Sequence, residues 1–468
     1  MKNDKNSVQL REQLENESSP ARNLISGLFD ERTFTELGAY IRREPSKADK
    51  LFGTPDEGDF ESVICGYGSV DGRLVYAFAQ DSTKMKGALT SAHAKKITDL
   101  LDKALQSGAP VVGIFSSNGA VVTEGVAGLA GYGAIIRRFT ECKGEIPIIS
   151  IIDGVCASTA AAIASISDVV AITDNGSLYV APPFILKERY SDNSAGSADF
   201  AAETGQADIR VKTSDEAVVA VRTLLEKLPA NNGELAIDAF DDDLNRLTPE
   251  IADLDPDNLD INDVIKAVSD NGFFFELGAR YAPELVSGLI SLAGRTVGVV
   301  ANQPKINGGR ITPKAAEKAS KLVSLCDSFN IPILTLVDTL GFDISDEAEK
   351  NGFAQSLGVL GFSYSSALVP LVTVVVGPAY GGAYVLMGSK SLGADICYAL
   401  DTARIAPLAP AAAAEFLKGD MPKDDAEKLY NEMIASPLAA AKAGDIDDII
   451  APEELRQHII SAFEILCN

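Results

Sequence analysis

The sequence has no tryptophan and only two histidines, His93 and His458, in 468 residues. A Ser-His-Asp or Cys-His triad would have to be built from these two imidazoles, and so would any metal site with histidine ligands. We therefore expect chemistry that works without imidazole, and we expect no metal site in this chain.

Paired cysteines, excess positive charge and long apolar runs are missing as well. The six cysteines form no C-x-x-C pair, which favours reduced and mostly buried thiols. The formal net charge of −25 argues against binding to nucleic acid. No apolar run reaches the roughly 20 residues of a membrane helix, and the charged start of the chain is unlike a signal or transit peptide. These features predict a folded cytoplasmic protein.

What the chain does contain is an internal repeat. Its length exceeds the roughly 250–300 residues that a single core reaches, so two domains are expected. Residues 69–75, SVDGRLV, resemble residues 291–297, SLAGRTV, which lie 222 positions later (291 − 69). Pro147 and Pro370 lie in similar apolar runs at an offset of 223 (370 − 147). Matched blocks in the same order indicate a duplication.

The boundary between the copies is predicted in an acidic linker near residues 230–243. This divides the chain into an N-terminal domain over residues 1–232 and a C-terminal domain over residues 233–468. Each copy has the order helix, short loop, buried strand and glycine turn. That order is typical of the crossover unit of a parallel sheet, so the predicted fold class is α/β.

Glycine turns after the buried strands are candidate binding sites. In residues 374–384 an apolar strand leads into Gly381-Gly382-Ala383, and a helical stretch follows. Backbone N–H groups at such a turn can stabilise an enolate, as an oxyanion hole does. Tight packing of helix on strand is the alternative that the motif alone leaves open. Similar turns follow other strands, at residues 117–120, 156–160 and 339–342.

Several blocks in both copies resemble one known family. They are Gly66-Tyr67-Gly68, Asp71-Gly72-Arg73, Gln80-Asp81, HAKKI from residue 93, GRTVGVVANQP, LCDSFNIPILTLVDTLGF and AYGGAYVLMGSK. The family comprises carboxyltransferase subunits of biotin-dependent acyl-CoA carboxylases and decarboxylases, of the propionyl-CoA carboxylase beta and methylmalonyl-CoA decarboxylase alpha type. The resemblance covers about residues 21–417 and implies two tandem crotonase-like domains.

The resemblance implies transfer of a carboxyl group between carboxybiotin and a short-chain acyl-CoA such as acetyl-, propionyl- or methylmalonyl-CoA. The chain has no biotinylation motif and no P-loop, so biotin would sit on a separate carrier protein. Further expected partners are a biotin carboxylase or membrane decarboxylase subunits, and the chain itself is expected to form a homo-oligomer, a dimer-based hexamer. In this family backbone amides hold the enolates, which agrees with the scarcity of histidine.

The resemblance also implies roles for residues of the two copies. Gly382 and Ala383 would form the hole for the biotin carbonyl, and Ser158 and Thr159 would form the hole for the acyl-CoA carbonyl. An apolar Val385 would fit a short alkyl acyl group. The residues expected to bind substrate are Gly119, Ala120, Gly341, Tyr380, Gly381 and Val385.

The first copy departs from the family pattern at its hole. Relatives have Ala-Gly-Gly-Ala where this chain has Ala-Ser-Thr-Ala at 157–160, so side chains are expected to crowd the site, and Thr159 should tolerate unusual backbone angles poorly. The chain is then either active on an unusual substrate or a diverged, non-catalytic or half-active assembly subunit. A hydratase or isomerase with Glu124 as acid or base is a third hypothesis, and a helix-terminal glutamate is its structural alternative. His93 is expected on the surface or in packing, and Asp338 as a cap.

Overall fold

The computed structural model describes residues 7–53, 60–190, 194–252, 259–417 and 419–467. The chain forms two compact units, Met1–Glu234 and Leu235–Asn468. No helix in the described ranges combines the length and the apolar character that crossing a membrane requires.

The first unit contains a sheet that has eight strands in the described residues. Its strands are β1 (Thr35–Glu36), β2 (Val63–Val70), β3 (Arg73–Gln80), β4 (Val111–Ser117), β5 (Ile148–Ala157), β6 (Val169–Ile172), β7 (Ser177–Tyr179) and β8 (Ile209–Arg210). Its helices are α1 (Ser7–Glu15), α2 (Pro20–Leu28), α3 (Lys47–Phe52), α4 (Ser91–Ser107), α5 (Val126–Cys142), α6 (Thr159–Ala164), α7 (Pro183–Arg189), α8 (Ala198–Glu203) and α9 (Ser214–Lys227).

The second unit contains an equivalent sheet, also with eight described strands. Its strands are β9 (Phe274–Glu276), β10 (Leu285–Leu292), β11 (Arg295–Asn302), β12 (Ile333–Thr339), β13 (Leu371–Tyr380), β14 (Ile396–Leu400), β15 (Arg404–Ala406) and β16 (Asp448–Ile450). Its helices are α10 (Pro249–Ala252), α11 (Ile261–Val268), α12 (Pro313–Ser328), α13 (Asp346–Lys350), α14 (Phe353–Ser366), α15 (Gly381–Leu386), α16 (Pro410–Leu417), α17 (Lys423–Met433), α18 (Pro437–Ala443) and α19 (Leu455–Leu466).

The two sheets have the same strand order. In the first unit the order is β1-β2-β3-β4-β5-β6-β8, with β7 paired to β5. In the second it is β9-β10-β11-β12-β13-β14-β16, with β15 paired to β13. The first three strands of each sheet pair antiparallel and the later strands pair parallel. The predicted α/β fold and its internal duplication are confirmed.

Each antiparallel hairpin closes through a two-residue turn. The φ angle is 49° at Asp71 and 82° at Gly72, and it is 52° at Ala293 and 75° at Gly294. Positive φ at both central residues is the type I′ turn, whose twist matches that of the flanking strands. The SVDGRLV and SLAGRTV repeats are therefore hairpins, as the sequence predicts.

The central parallel ladders share an irregular register. Phe115 of β4 pairs with Ile152 of β5, and the next pair is Ser117 with Cys156. From the first pair to the second, β4 advances by two residues and β5 advances by four. β13 and β12 repeat this shift before Thr339 pairs with Ala379. In each unit the bulge therefore brings the ends of two neighbouring strands to the same edge of the sheet.

An aspartate–arginine clamp holds the hairpin of the second unit. Asp270 accepts hydrogen bonds from the backbone N–H groups of Ala293 and Gly294, at 3.0 and 2.8 Å, and from Arg456 at 2.7 Å. Arg456 is fully buried, and Asp242 lies 3.4 Å from it as a second carboxylate. The clamp therefore lies in the core.

The first unit has the same clamp nearer to solvent. Asp30 accepts hydrogen bonds from the N–H groups of Asp71 and Gly72, each at 3.1 Å, and from Arg222 at 3.0 Å. The side chains of Arg222 and Asp30 retain 24% and 30% of their exposure. Equivalent contacts thus occur in different solvent environments in the two units.

Asp270→Ala should destabilise the protein more than the matched change Asp30→Ala. The first substitution leaves Arg456 charged in the core with one remaining carboxylate, and breaking such a buried pair costs about 3 kcal/mol. The second removes a solvent-screened pair, which contributes much less. Urea unfolding followed by circular dichroism measures both losses. Equal losses would show that burial does not govern the clamp.

Candidate active site

The turn after β4 has the same conformation as the turn after β12. The φ angle is 120° at Gly119 and 118° at Gly341. The hydroxyls of Ser117 and Thr339 accept a hydrogen bond from the N–H of the respective glycine, at 3.3 and 3.2 Å. Residues with a side chain rarely adopt such φ angles, so both turns require glycine.

The residue after each of these glycines leaves its backbone N–H unused. Leu89 pairs with Ala120 in a short parallel bridge and donates to the carbonyl of Gly119 at 2.8 Å. Within the described ranges the N–H of Ala120 has no acceptor. Ile311 bridges to Phe342 in the same way, and the Phe342 N–H likewise has no acceptor among the described residues. In its described part each unit thus offers one N–H donor without an acceptor at this turn.

A second donor comes from the helix that follows the neighbouring strand. Thr159 is the first residue of α6 and Gly382 the second residue of α15. Their N–H groups lie in the first helical turn, which the helix's own carbonyls do not reach. The register shift places these amides at the same sheet edge as those of Ala120 and Phe342. Two such donors at one edge can hold a carbonyl oxygen that gains negative charge.

We call the pair of N–H donors in each unit its hole. In the hole of the first unit the unusual backbone angles lie at Ser158, one residue before Thr159, where we expected the strain. Ser158 has φ 56° and ψ −119°, whereas Thr159 already begins the helix. Gly381, its equivalent, has φ 64°, and Gly125 in the first unit has φ 56° and ψ −128°. The chain needs one positive φ between strand and helix, and only the first unit places a side chain there.

In each unit the residue after the turn glycine faces a residue at the start of the helix. The second unit has a large turn residue and a small helix residue, and the first unit has the reverse. A methyl group built on Gly382 would lie 2.8 Å from the ring of Phe342. A T-shaped contact with Phe353, with ring centroids 5.7 Å apart, holds that ring. In the first unit the corresponding residues are Thr159 on the helix and Ala120 on the turn. In the first unit the larger Thr159 therefore faces the smaller Ala120, and the space that Ala120 leaves offsets the crowding expected from the Thr159 side chain.

Side chains behind the turns support them. Arg310 donates a hydrogen bond to the carbonyl of Phe342 at 3.0 Å. In the first unit Gln80 accepts from the N–H of Ser116 at 3.1 Å, and its amide nitrogen lies 3.3 Å from His93. His93 is fully buried, and burial lowers its pKa to about 3. His93 is therefore a neutral packing residue, and its surface alternative is wrong.

Glu124 is occupied by structural contacts. Its carboxylate accepts a hydrogen bond from the N–H of Ser91, the first residue of α4, at 2.7 Å, and lies 3.8 Å from Arg43. Arg43 also binds Asp49 at 3.1 Å, and Asp49 accepts from Thr123 at 2.5 Å. The helix-terminal alternative for Glu124 agrees with this arrangement better than a role as acid or base.

Asp338 is a buried carboxyl and not the cap that we expected. It is 3% exposed, and its carboxylate accepts no hydrogen bond from a described residue. Burial raises its pKa to about 7. The sequence signal was an aspartate at the end of an apolar strand, which cannot distinguish an exposed cap from a buried acid.

Three other predicted site residues differ in exposure. Ala383 is fully buried in the first turn of α15, so its side chain faces the core. Tyr380 is buried in a small cluster with Tyr430. Val385 keeps 40% of its exposure on the same helix as Ala383 and is open to a ligand.

Known proteins share this duplicated architecture. The family model of the carboxyl transferase domain matches residues 12–468. The propionyl-CoA carboxylase beta chain of Roseobacter denitrificans is 37% identical over 466 residues, covering 96% of this chain and 90% of the relative. The methylmalonyl-CoA decarboxylase subunit alpha of Propionigenium modestum is 38% identical over 468 residues, covering 95% and 90%. The hexamer-forming transcarboxylase 12S, solved with hydrolysed methylmalonyl-coenzyme A bound, matches with a TM-score of 0.91 and 31% identity, over 98% of this chain and 92% of that one.

Ser158→Gly should stabilise the protein. A residue with a side chain at this φ and ψ costs about 1 kcal/mol or more, and glycine removes that cost. We expect a higher melting temperature in differential scanning calorimetry. The matched control, Gly381→Ser, introduces the same strain in the second unit and should lower the melting temperature. A decrease for Ser158→Gly would mean that the Ser158 side chain contributes more stability than its strain costs.

Proposed function

The chain belongs to the carboxyl transferase family, and we propose that it moves a carboxyl group between carboxybiotin on a separate carrier protein and a short-chain acyl-CoA. One observation carries the proposal. In each unit of a duplicated fold two neighbouring parallel strands end in a pair of backbone N–H groups that no acceptor among the described residues takes. Two such sites suit a transfer in which negative charge develops on two different carbonyl oxygens.

In the first unit the amides of Ala120 and Thr159 bind the thioester carbonyl oxygen of the acyl-CoA. They stabilise the negative charge on that oxygen when the α-carbon loses its proton. Donors of this kind contribute about 3–4 kcal/mol each. Gly119 gives the turn its shape, and the side chain of Ser158 is exposed at the edge of the hole.

The second unit fits the ureido carbonyl of biotin. Among the described residues no acceptor takes the N–H groups of Phe342 and Gly382, and the glycines at 381 and 382 leave the space before them without a side chain. A methyl group built on Gly341 would lie 3.7 Å from the guanidinium of Arg310 and 3.8 Å from the backbone carbonyl oxygen of Tyr380, so these two groups line the turn. When bound, carboxybiotin would supply the activated carboxyl group, and its ureido nitrogen would take up the α-proton that the acyl-CoA loses. The chain binds the carbonyl oxygen and orients the ring.

No histidine or glutamate of the described turns is free to act as a base. His93 is buried and hydrogen-bonded to Ser62 and Gln80, and Glu124 caps a helix. This disfavours the hydratase or isomerase hypothesis, which requires a side-chain acid or base. A mechanism based on backbone donors requires neither residue.

We propose propionyl-CoA or methylmalonyl-CoA as the acyl substrate. The apolar, part-exposed Val385 suits a short alkyl group, and the relatives named above act on these two thioesters. We also propose that the chain acts in the cytoplasm as a hexamer with a biotin carrier and a biotin carboxylase or membrane decarboxylase subunits. The hexamer of transcarboxylase 12S and the subunit names of the relatives support this assembly.

Carboxyl transfer from methylmalonyl-CoA to biotin, measured with the purified chain and with its co-purifying subunits, tests the function. Transfer by the chain alone would support a self-sufficient enzyme. Transfer that appears only with a related partner chain would indicate the half-active assembly subunit. Hydration of an enoyl-CoA without biotin would refute the proposal.

Gly382→Val should reduce carboxyl transfer by about 100-fold or more, since its side chain would clash with Phe342 and displace one oxyanion donor. The double variant Phe342→Ala/Gly382→Thr recreates the combination of the first unit and should recover part of the activity. Steady-state transfer rates and circular dichroism of both variants separate lost function from lost folding. Full activity in Gly382→Val would exclude its amide from the site.

A further inference from the structure

Asp338 is a buried carboxyl beside the hole of the second unit. It is 3% exposed, and its N–H donates to the side chain of Asn302 at 3.3 Å. Asn302 is itself held by the carbonyl of Gly309 at 3.0 Å. Because the backbone of Asp338 is held in this way, its carboxyl keeps its place without a hydrogen-bond donor among the described residues.

The carboxylate fills the gap that Gly377 leaves in the bulge of β13. A methyl group built on Gly377 would lie 2.4 Å from Oδ2 and 3.0 Å from Oδ1 of Asp338. Strand β12 ends one residue later and leads directly into the turn that carries the Phe342 amide. At about 3.3 Å per residue, the four residues from Asp338 to Phe342 span at most roughly 13 Å, so the carboxyl lies within that distance of the Phe342 amide.

The first unit has the same scaffold without the carboxyl. Ser116 occupies the equivalent position (338 − 222 = 116), and its N–H is held by Gln80 at 3.1 Å. A methyl group built on Gly154 would lie 2.1 Å from the Ser116 hydroxyl oxygen. Ser116 therefore packs against Gly154 as Asp338 packs against Gly377. The second unit therefore has an ionisable group where the first has a hydroxyl.

We propose that Asp338 is a positioning residue behind the turn of Phe342, and that its ionisation weakens the binding of an oxyanion by Phe342 and Gly382. The inference rests on the proposed function, with a cyclic urea as the ligand of this hole. A neutral carboxyl leaves the two amides free to stabilise negative charge. At about 13 Å and an effective dielectric constant of about 20, repulsion by the carboxylate corresponds to roughly a tenfold loss.

The charges around Asp338 leave it as the group that changes near neutral pH. Burial raises its pKa to about 7. The titratable and charged groups described around this end of the sheet are Tyr380 on β13, Tyr384 on α15, Arg310 and Asp343 at the turn, Arg404 on β15, and Glu427 and Tyr430 on α17. Burial raises the pKa of Tyr380 and Tyr384, so both stay neutral over this range, and a hydrogen bond from Ser345 lowers the pKa of Asp343, which stays ionised. Rising pH therefore adds one negative charge below the hole.

Binding of biocytin, the lysine amide of biotin, to the full-length chain tests the inference by calorimetry at about pH 6 and about pH 8.5. Biocytin should bind the wild type several-fold more weakly at the higher pH, and carboxyl transfer should fall about tenfold. Asp338→Asn, which is permanently neutral, should keep the low-pH affinity at both values. The matched control Asp343→Asn, in the loop that follows β12, should keep the wild-type dependence, because hydrogen bonds from Ser345 and Asn307 lower the pKa of Asp343.

Melting temperatures provide a readout that needs no ligand. The raised pKa of Asp338 means that the wild type loses stability as pH rises from about 4 to about 7, because the folded state holds the proton more tightly. The stabilising effect of Asp338→Asn should therefore grow over that range. An Asp338→Asn protein with the wild-type pH dependence of biocytin binding would overturn the inference, as would a wild type that does not bind biocytin at about pH 6. Absence of carboxyl transfer at every pH, by the chain alone and with its co-purifying subunits, would refute the proposed function, and the biocytin titration would still decide the role of Asp338.

Discussion

The register shift between the two central parallel strands is the constraint on which both holes depend. Backbone hydrogen bonds are satisfied up to the last paired residues, Ser117 with Cys156 and Thr339 with Ala379. Beyond that pair one strand must turn and the other must start a helix, and each exit leaves an N–H group without a carbonyl. The donors are thus a consequence of how a parallel ladder ends. The glycines determine how closely a ligand can approach them.

Duplication preserved this scaffold while the surroundings of each hole diverged. The hairpin clamp, the turn glycines and the buried amide behind each strand end recur in both units. The differences lie in side chains near the sheet edge. Ser116 corresponds to the ionisable Asp338, Ala120 to the larger Phe342, and Thr159 to the smaller Gly382. Two sites with equivalent backbones can therefore favour different ligands and respond differently to pH.

The sequence predicted the backbone better than it predicted the side chains. The repeat, the hairpins and the strand-turn-helix order could be found because glycine, proline and apolar spacing are local signals. The positive φ at Ser158 could not be placed, since one residue decides where a strand ends and a helix begins. The burial of His93 and of Asp338 depends on strands and helices distant in sequence, and local sequence carries no measure of that burial. The offset of 222 already aligned Ser116 with Asp338, and a comparison of the copies at that position would have marked the aspartate as specific to one unit.

The facing residues of the two holes also restrict how such a protein can change over time. In the second unit a large turn residue, Phe342, faces a small helix residue, Gly382, and in the first unit a small turn residue, Ala120, faces the larger Thr159. A phenylalanine facing a threonine would overlap, because even a methyl group at Gly382 comes within 2.8 Å of the ring. A lineage moving from one combination to the other must therefore pass through alanine with glycine, because the other intermediate is sterically closed. The order of substitutions is set by geometry before selection on activity acts.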